Sequence, residues 1–150
     1  VATHRFNVRA YGICLNKDAE VLVSREDHQG RIVHKFPGGG LEFGEGLADC
    51  LQREWKEETG LGIDIIRHYY TTDFFQQSAF RAEDQVISIY YLVQVADADL
   101  TQIKAQERTH TFNWVPVAKL SKEMMTFPID QLVAEQLRHD FGGFGLYPKL

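Results

Sequence analysis

Near the start of the chain, Phe6 to Leu15 (FNVRAYGICL) and Val21 to Arg25 (VLVSR) carry apolar and polar residues in a strand-like, partly irregular alternation. The polar turn Asn16-Lys17-Asp18-Ala19 between them predicts a β-hairpin. Farther along, Ile63 to Thr72 and Val86 to Val95 are the most strand-like segments. Ile87, Ile89, Tyr91, Val93 and Val95 make one wholly apolar face, which predicts a central strand. His110 to Pro116 reads as a last strand stopped by proline, and Val117 to Leu120 as a short helical turn. Two stretches have helical spacing instead. Leu47, Ala48, Leu51 and Trp55 form one apolar stripe; Ile129, Leu132, Val133, Leu137 and Phe141 form another, after a helix-opening Pro128. Strands interrupted by one inner helix and closed by another predict an α/β sandwich around a mixed sheet, with the last helix on the face opposite the first.

The remaining segments are punctuation. The loop Asp27 to Arg31 (DHQGR) leads through IVHKF to Pro37 and three glycines, Gly38, Gly39 and Gly40, where the backbone can approach a metal or a phosphate closely. Asp73 to Gln85 is a loop with three phenylalanines, Phe74, Phe75 and Phe80. Aromatics there predict a lid over a ligand, packing against a second subunit in a homodimer, or anchoring to the core. Asp97 to Arg108 is polar and loop-like, and the tail GGFGLYPKL is either frayed or docked on a partner.

Bulk composition narrows the class. A length of 150 residues with 44% hydrophobic positions suits a single domain with one core. A net charge of -5 argues against a nucleic-acid polymer as partner, because backbone binding needs a basic stripe. Cys14 and Cys50 are the only cysteines, too few for a disulfide framework, so a reducing cytoplasm is expected. No apolar run is long enough to span a bilayer, and no membrane partner is expected. The histidines show no HxxxH or HxH spacing, which speaks against a zinc site.

The candidate chemistry lies in Gly38 to Leu61, GGGLEFGEGLADCLQREWKEETGL. Glu54 shares a helix face with Glu57 and Glu58, and like charges so placed repel. Gly60 is the natural stop, which puts Glu57 and Glu58 beside the negative helix end. Together these terms cost the helix roughly 1–2 kcal/mol. A hard divalent cation, Mg2+ or Mn2+, would offset that cost. Arg53 relieves part of it by pairing with Glu57, and Glu45 sits favourably at the positive end.

This stretch resembles the Nudix box: Gly39, five residues, Glu45, seven residues, then Arg53, Glu54, Trp55, Lys56, Glu57, Glu58, Thr59, Gly60 and Leu61. Every glycine and charged position matches; Trp55 replaces the usual aliphatic residue. The flank FPGGG matches as well. The resemblance implies an α-β-α sandwich and metal-dependent hydrolysis of a nucleoside diphosphate linked to another group. It implies metal ligation by Glu54, Glu57 and Glu58 with the carbonyl of Gly38 or Gly39, while Arg53 orients the cluster. For the general base it leaves Glu54 or an acid from a later loop, Glu107 ahead of Glu83 and Asp84. Arg25 is a candidate phosphate contact, and Phe74 and Phe75 are the first candidates for stacking on a small-molecule nucleotide. The proline expected of ADP-ribose hydrolases and the tyrosine expected of dinucleoside polyphosphate hydrolases are both missing, so a nucleoside triphosphate leads. An ADP-ribose, nucleotide-sugar or dinucleoside polyphosphate hydrolase of the same fold and a non-catalytic nucleotide sensor are the alternatives.

Overall fold

The computed structural model describes residues 2–96, 103 and 109–143. Among the described residues, seven strands and two α-helices follow in the order β1 (Arg5–Cys14), β2 (Glu20–His28), β3 (Arg31–Lys35), β4 (Gly38–Gly40), α1 (Leu47–Thr59), β5 (Asp64–Thr71), β6 (Asp84–Gln94), β7 (His110–Pro116) and α2 (Pro128–Phe141). Single 3-10 turns at Val117–Lys119 and Lys122–Met124 connect β7 to α2. One sheet has the order β4-β1-β6-β5, with β1 and β6 parallel and the other pairs antiparallel; the second is antiparallel, β3-β2-β7. The result is the expected α/β architecture, a mixed sheet flanked by helices.

The expected hairpin of β1 with β2 does not form. The two strands lie in different sheets, joined only by an isolated bridge between Leu15 and Val21. The reason lies in β1 itself. Its second half, Ala10 to Cys14, is buried and pairs along one edge with β6; on the other edge Ala10 and Tyr11 pair with β4, and the Gly12 N–H donates to the Pro37 carbonyl at 2.9 Å. The turn between β1 and β2 is nevertheless well made: the Asn16 side-chain oxygen accepts from the amides of Asp18 and Glu20 at 3.0 and 2.9 Å. The true hairpin is β2 with β3. Gln29 and Gly30 both take positive φ, 54° and 89°, the combination that matches a two-residue loop to strand twist.

Alternation along β1 divides the core. Tyr11 and Ile13 face α2 through Ile129, Val133, Leu137 and Phe141, whereas Ala10 and Cys14 face α1 through Cys50, Leu51 and Trp55. β6 follows the same rule with Tyr90 and Leu92 on one side and Val93 on the other, which makes it the central strand that its pattern predicts. The stripe on α1 differs in one member: Ala48 is exposed and Cys50 is buried in its stead. Trp55 is fully buried and is accommodated by Gly12 on β1, where a Cβ would come within 2.5 Å of the indole nitrogen. That indole N–H finds no acceptor among the described residues. The C-terminal end of α1 is better compensated than its glutamates suggest, because Lys56 donates to the Gly60 carbonyl at 3.0 Å.

Candidate metal and nucleotide site

A cavity of about 440 Å³ opens between the sheets, with one wall from α1 and the glycine strand β4, another from β2, β3 and β7, and a floor from β1, β6 and the start of α2. Glu54, Glu57, Glu58, Gly38 and Gly39 all line it. The spacing of the glutamates on α1 and the position of β4 beside that helix bring these five residues together.

Arg53 organises the acidic wall. Its guanidinium grips Glu45 with two bonds of 2.7 and 3.0 Å, donates to the Gly40 carbonyl at 3.0 Å and to Glu54 at 3.0 Å, and reaches Glu57 at 3.4 Å. The expected pair with Glu57 is therefore the weakest of several contacts. Hydrogen bonds from Arg53 hold the Glu45 carboxyl down at about 2. Glu54 lies flat against Gly39, where a Cβ would come within 2.4 Å of its carboxyl carbon. Gly39→Ala therefore pushes Glu54 aside without disturbing backbone. The expected outcome is wild-type thermal stability with a divalent-ion affinity lowered roughly tenfold or more, measured by titration calorimetry.

Glu57 is half exposed, but Glu58 is buried and turned inward. Its carboxylate accepts from the Gly38 amide at 3.3 Å and lies 3.9 Å from the Lys35 ammonium. Burial, with repulsion from Glu26 and Glu54, outweighs Lys35 and pushes the Glu58 pKa up to about 8. The electrostatic strain expected of the whole helix is thus concentrated at one residue.

Behind Glu58 stands Glu26, which accepts from Lys35 at 3.1 Å and contacts ring nitrogens of His28 and His110 at 2.9 Å each. Burial opposes its ionisation, yet Lys35 and the two histidines hold its pKa below the ordinary value. Ligand atoms of Glu26, Glu58 and His110 lie within 4.8 Å of one another, a candidate metal-binding group. Two carboxylates and an imidazole suit a hard or borderline divalent cation, and Glu54 and Glu57 add oxygen donors at the same cavity, so the residues fit such an ion.

At the floor, the Tyr90 hydroxyl donates to Asp130, the third residue of α2. Asp130 is fully enclosed, and burial raises its pKa to about 6 against the pull of Tyr90, Lys35 and Arg9. Asn7, Gln76 and Gln77 line the cavity as well. Phe80 closes one side, its ring 5.4 Å from His28 and 5.8 Å from Phe127, with the Arg31 guanidinium 4.7 Å above it.

Other candidates from the sequence fall elsewhere. Arg25 alternates with Glu26 along β2, in register with His34 and Thr111, and does not line the cavity. Phe74 and Phe75 are exposed and away from it; of the three loop phenylalanines only Phe80 contributes. Asp84 is paired with Arg5 at 2.7 Å and Glu83 with Arg81 at 3.6 Å, both off the cavity. Glu107 lies outside the described residues. Sequence reasoning missed Glu26, Lys35, His110 and Asp130, which come from four separate elements and share no spacing. The one available signal was a charged residue among apolar neighbours in a strand, as at Glu26 and Lys35.

A mixed sheet between helices, with a glycine strand laid against a glutamate-rich helix beside a candidate metal-binding group, is the arrangement of a Nudix-type α/β protein. A family model described as the NUDIX domain matches residues 4–136. Nudix hydrolase 2 of Arabidopsis thaliana is 33% identical over 123 residues, 77% of this chain and 40% of that protein. Mouse nucleoside diphosphate-linked moiety X motif 6 is 28% identical over 141 residues, 91% of this chain and 42% of that protein. The chain thus spans less than half the length of these curated relatives. Among solved structures, a MutT protein from Methanosarcina mazei Go1 superposes with a TM-score of 0.74 at 20% identity, covering 93% of this chain and 97% of the other. A NUDIX hydrolase from Nitrosomonas europaea does so with 0.69 at 20% identity, covering 90% and 89%. The chain belongs to the Nudix family.

Proposed function

We propose that this protein is a divalent-metal-dependent pyrophosphohydrolase acting on a small nucleotide, with a nucleoside triphosphate as the leading substrate and Mg2+, replaceable by Mn2+, as the ion. The observation that carries this reading is the continuity of one cavity from the acidic wall of α1 to the floor at Asp130. A diphosphate bridge needs cations along its oxygens, and a base needs a half-polar chamber a few ångströms beyond them.

In this reading Glu54, Glu57 and Glu58, with the carbonyl of Gly38 or Gly39, hold the ion. An ion held there would supply charge neutralisation at the phosphate oxygens and a more acidic water. Arg53 orients Glu54 and Glu57 through the contacts described above and does not touch substrate. Glu54, part-buried at the cavity and fixed by Arg53, is the described residue best placed to take a proton from the attacking water; Glu107 is the alternative base. Asp130, Asn7 and Gln76 offer hydrogen bonds to a base edge, and Phe80 offers a ring face. The buried free thiols of Cys14 and Cys50 agree with a reducing cytoplasm, and no described helix is long and apolar enough to cross a membrane.

The test is a panel of nucleoside triphosphates, nucleotide sugars, ADP-ribose and dinucleoside polyphosphates, with products identified in the presence and absence of Mg2+. Monophosphate and pyrophosphate from a triphosphate are expected. Binding of a nucleotide with no turnover would favour a sensor. If the floor recognises the base, Asp130→Ala raises KM by about tenfold with kcat little changed. An unchanged KM would remove Asp130 from recognition.

A further inference from the structure

Lys35 is the last residue of β3, almost wholly buried, and its side chain lines the cavity. Its ammonium donates to the Gly38 carbonyl at 2.9 Å, lies 3.1 Å from Glu26 and 3.9 Å from Glu58, and stands 5.2 Å from the Tyr11 ring centre. Oxygens from three elements thus surround one cation, those of Gly38 and Glu26 within hydrogen-bond distance and that of Glu58 as an ion pair. Gly38 and Glu58 belong to the set assigned above to the metal, and Glu26 and Glu58 belong to the candidate group completed by His110. A hard divalent ion seeks the same surroundings.

We propose that Lys35 is a built-in cation of the phosphate site: its ammonium holds the seat between Glu26, Glu58 and the Gly38 carbonyl, so the protein loads one fewer divalent ion than its carboxylates could hold. The inference rests on the functional reading above and deepens it. A side chain needed only for packing at this depth would be better served by methionine, which carries no charge to desolvate. The ammonium instead lies 3.1 Å from Glu26 and 3.9 Å from Glu58, between two buried carboxyl groups. A second cation cannot also take the position between Glu26 and Glu58 that the ammonium fills, because two positive charges at one point repel strongly. Glu54 and Glu57 on the outer wall are touched by the Arg53 guanidinium, at 3.0 and 3.4 Å, and not by Lys35; with Glu58 they line the same cavity and are left for the divalent ion. Lys35 is a positioning residue here, acting on the ions and not on the reacting atoms.

The experiment counts ions and needs no turnover. Mn2+ is titrated into wild type, Lys35→Met and Lys35→Arg, with bound ion quantified by electron paramagnetic resonance and calorimetry. Lys35→Met is expected to bind one more Mn2+ than wild type, or to bind its ions about tenfold more tightly; Lys35→Arg, which keeps the charge, is expected to match wild type. Equal counts and affinities in wild type and Lys35→Met would overturn the proposal while leaving the functional reading intact. No binding to any of the three would overturn both. Should Lys35→Met fail to fold, the wild-type Lys35 ammonium is followed by nitrogen NMR: a slowly exchanging signal retained at saturating Mg2+ supports the seat, and its loss to solvent exchange overturns it.

Discussion

Glu58→Gln is expected to remove Mg2+-dependent hydrolysis by roughly a hundredfold or more while making the metal-free protein more stable. Both effects have one origin. The Glu58 carboxylate is buried beside Glu26 and Glu54, with Lys35 too distant at 3.9 Å to neutralise it fully, and its pKa in the folded protein is raised to about 8. A carboxyl whose folded pKa lies above its unfolded value favours folding when protonated. Its contribution is fully present below the unfolded pKa of about 4.3 and is lost as pH rises through the folded value near 8. Glutamine imitates the protonated acid at every pH. The gain over wild type should therefore grow between pH 5 and 9 toward about 2–4 kcal/mol, read from urea unfolding in chelator. Glu57→Gln should be nearly neutral in the same assay, because Glu57 is half exposed and held only by the outer reach of Arg53. A Glu58→Gln protein less stable than wild type at pH 9 would show that the buried carboxylate is not strained.

Arg53→Ala is the second change with a large expected effect, and it acts on order where Glu58→Gln acts on charge. One guanidinium ties the loop carboxylate Glu45, the β4 carbonyl of Gly40 and the helix carboxylates Glu54 and Glu57 into a single unit. Its removal leaves those oxygens facing one another with no donor between them. The melting temperature should fall, and kcat should fall roughly ten- to a hundredfold even at saturating Mg2+, since Glu54 is no longer fixed. Arg53→Lys should restore little, because an ammonium cannot span four acceptors with a planar fork. Near-complete rescue by lysine would reduce Arg53 to a simple counter-charge.

The parts of this molecule legible in the sequence are those set by local periodicity. The strand segments, the two helix stripes and the stop at Gly60 depend on neighbours within a few residues, and each appears close to where the pattern places it. Spacing on one helix likewise brought Glu54, Glu57 and Glu58 to the same cavity. Pairing was less legible. β1 and β2 look like a hairpin because their turn is sound, but the burial of β1 on both faces is a property of the assembled sheet. The far half of the candidate site was illegible for a related reason: Glu26, Lys35, His110 and Asp130 meet only after four elements have packed. Phe74 and Phe75 do not line the cavity. Apolar residues in a loop advertise a contact without saying which of them turns inward, and it is Phe80 that faces the cavity.

Incubation with nucleoside triphosphates, in Mg2+ and in chelator, with the products identified, tests whether the acidic wall of α1 and the chamber ending at Asp130 form one site for a metal-bound nucleotide. For such a site, nucleoside monophosphate and pyrophosphate are expected with Mg2+ and neither in chelator. Turnover that persists in chelator, or a nucleotide held tightly in the presence of Mg2+ and returned uncleaved, would contradict it.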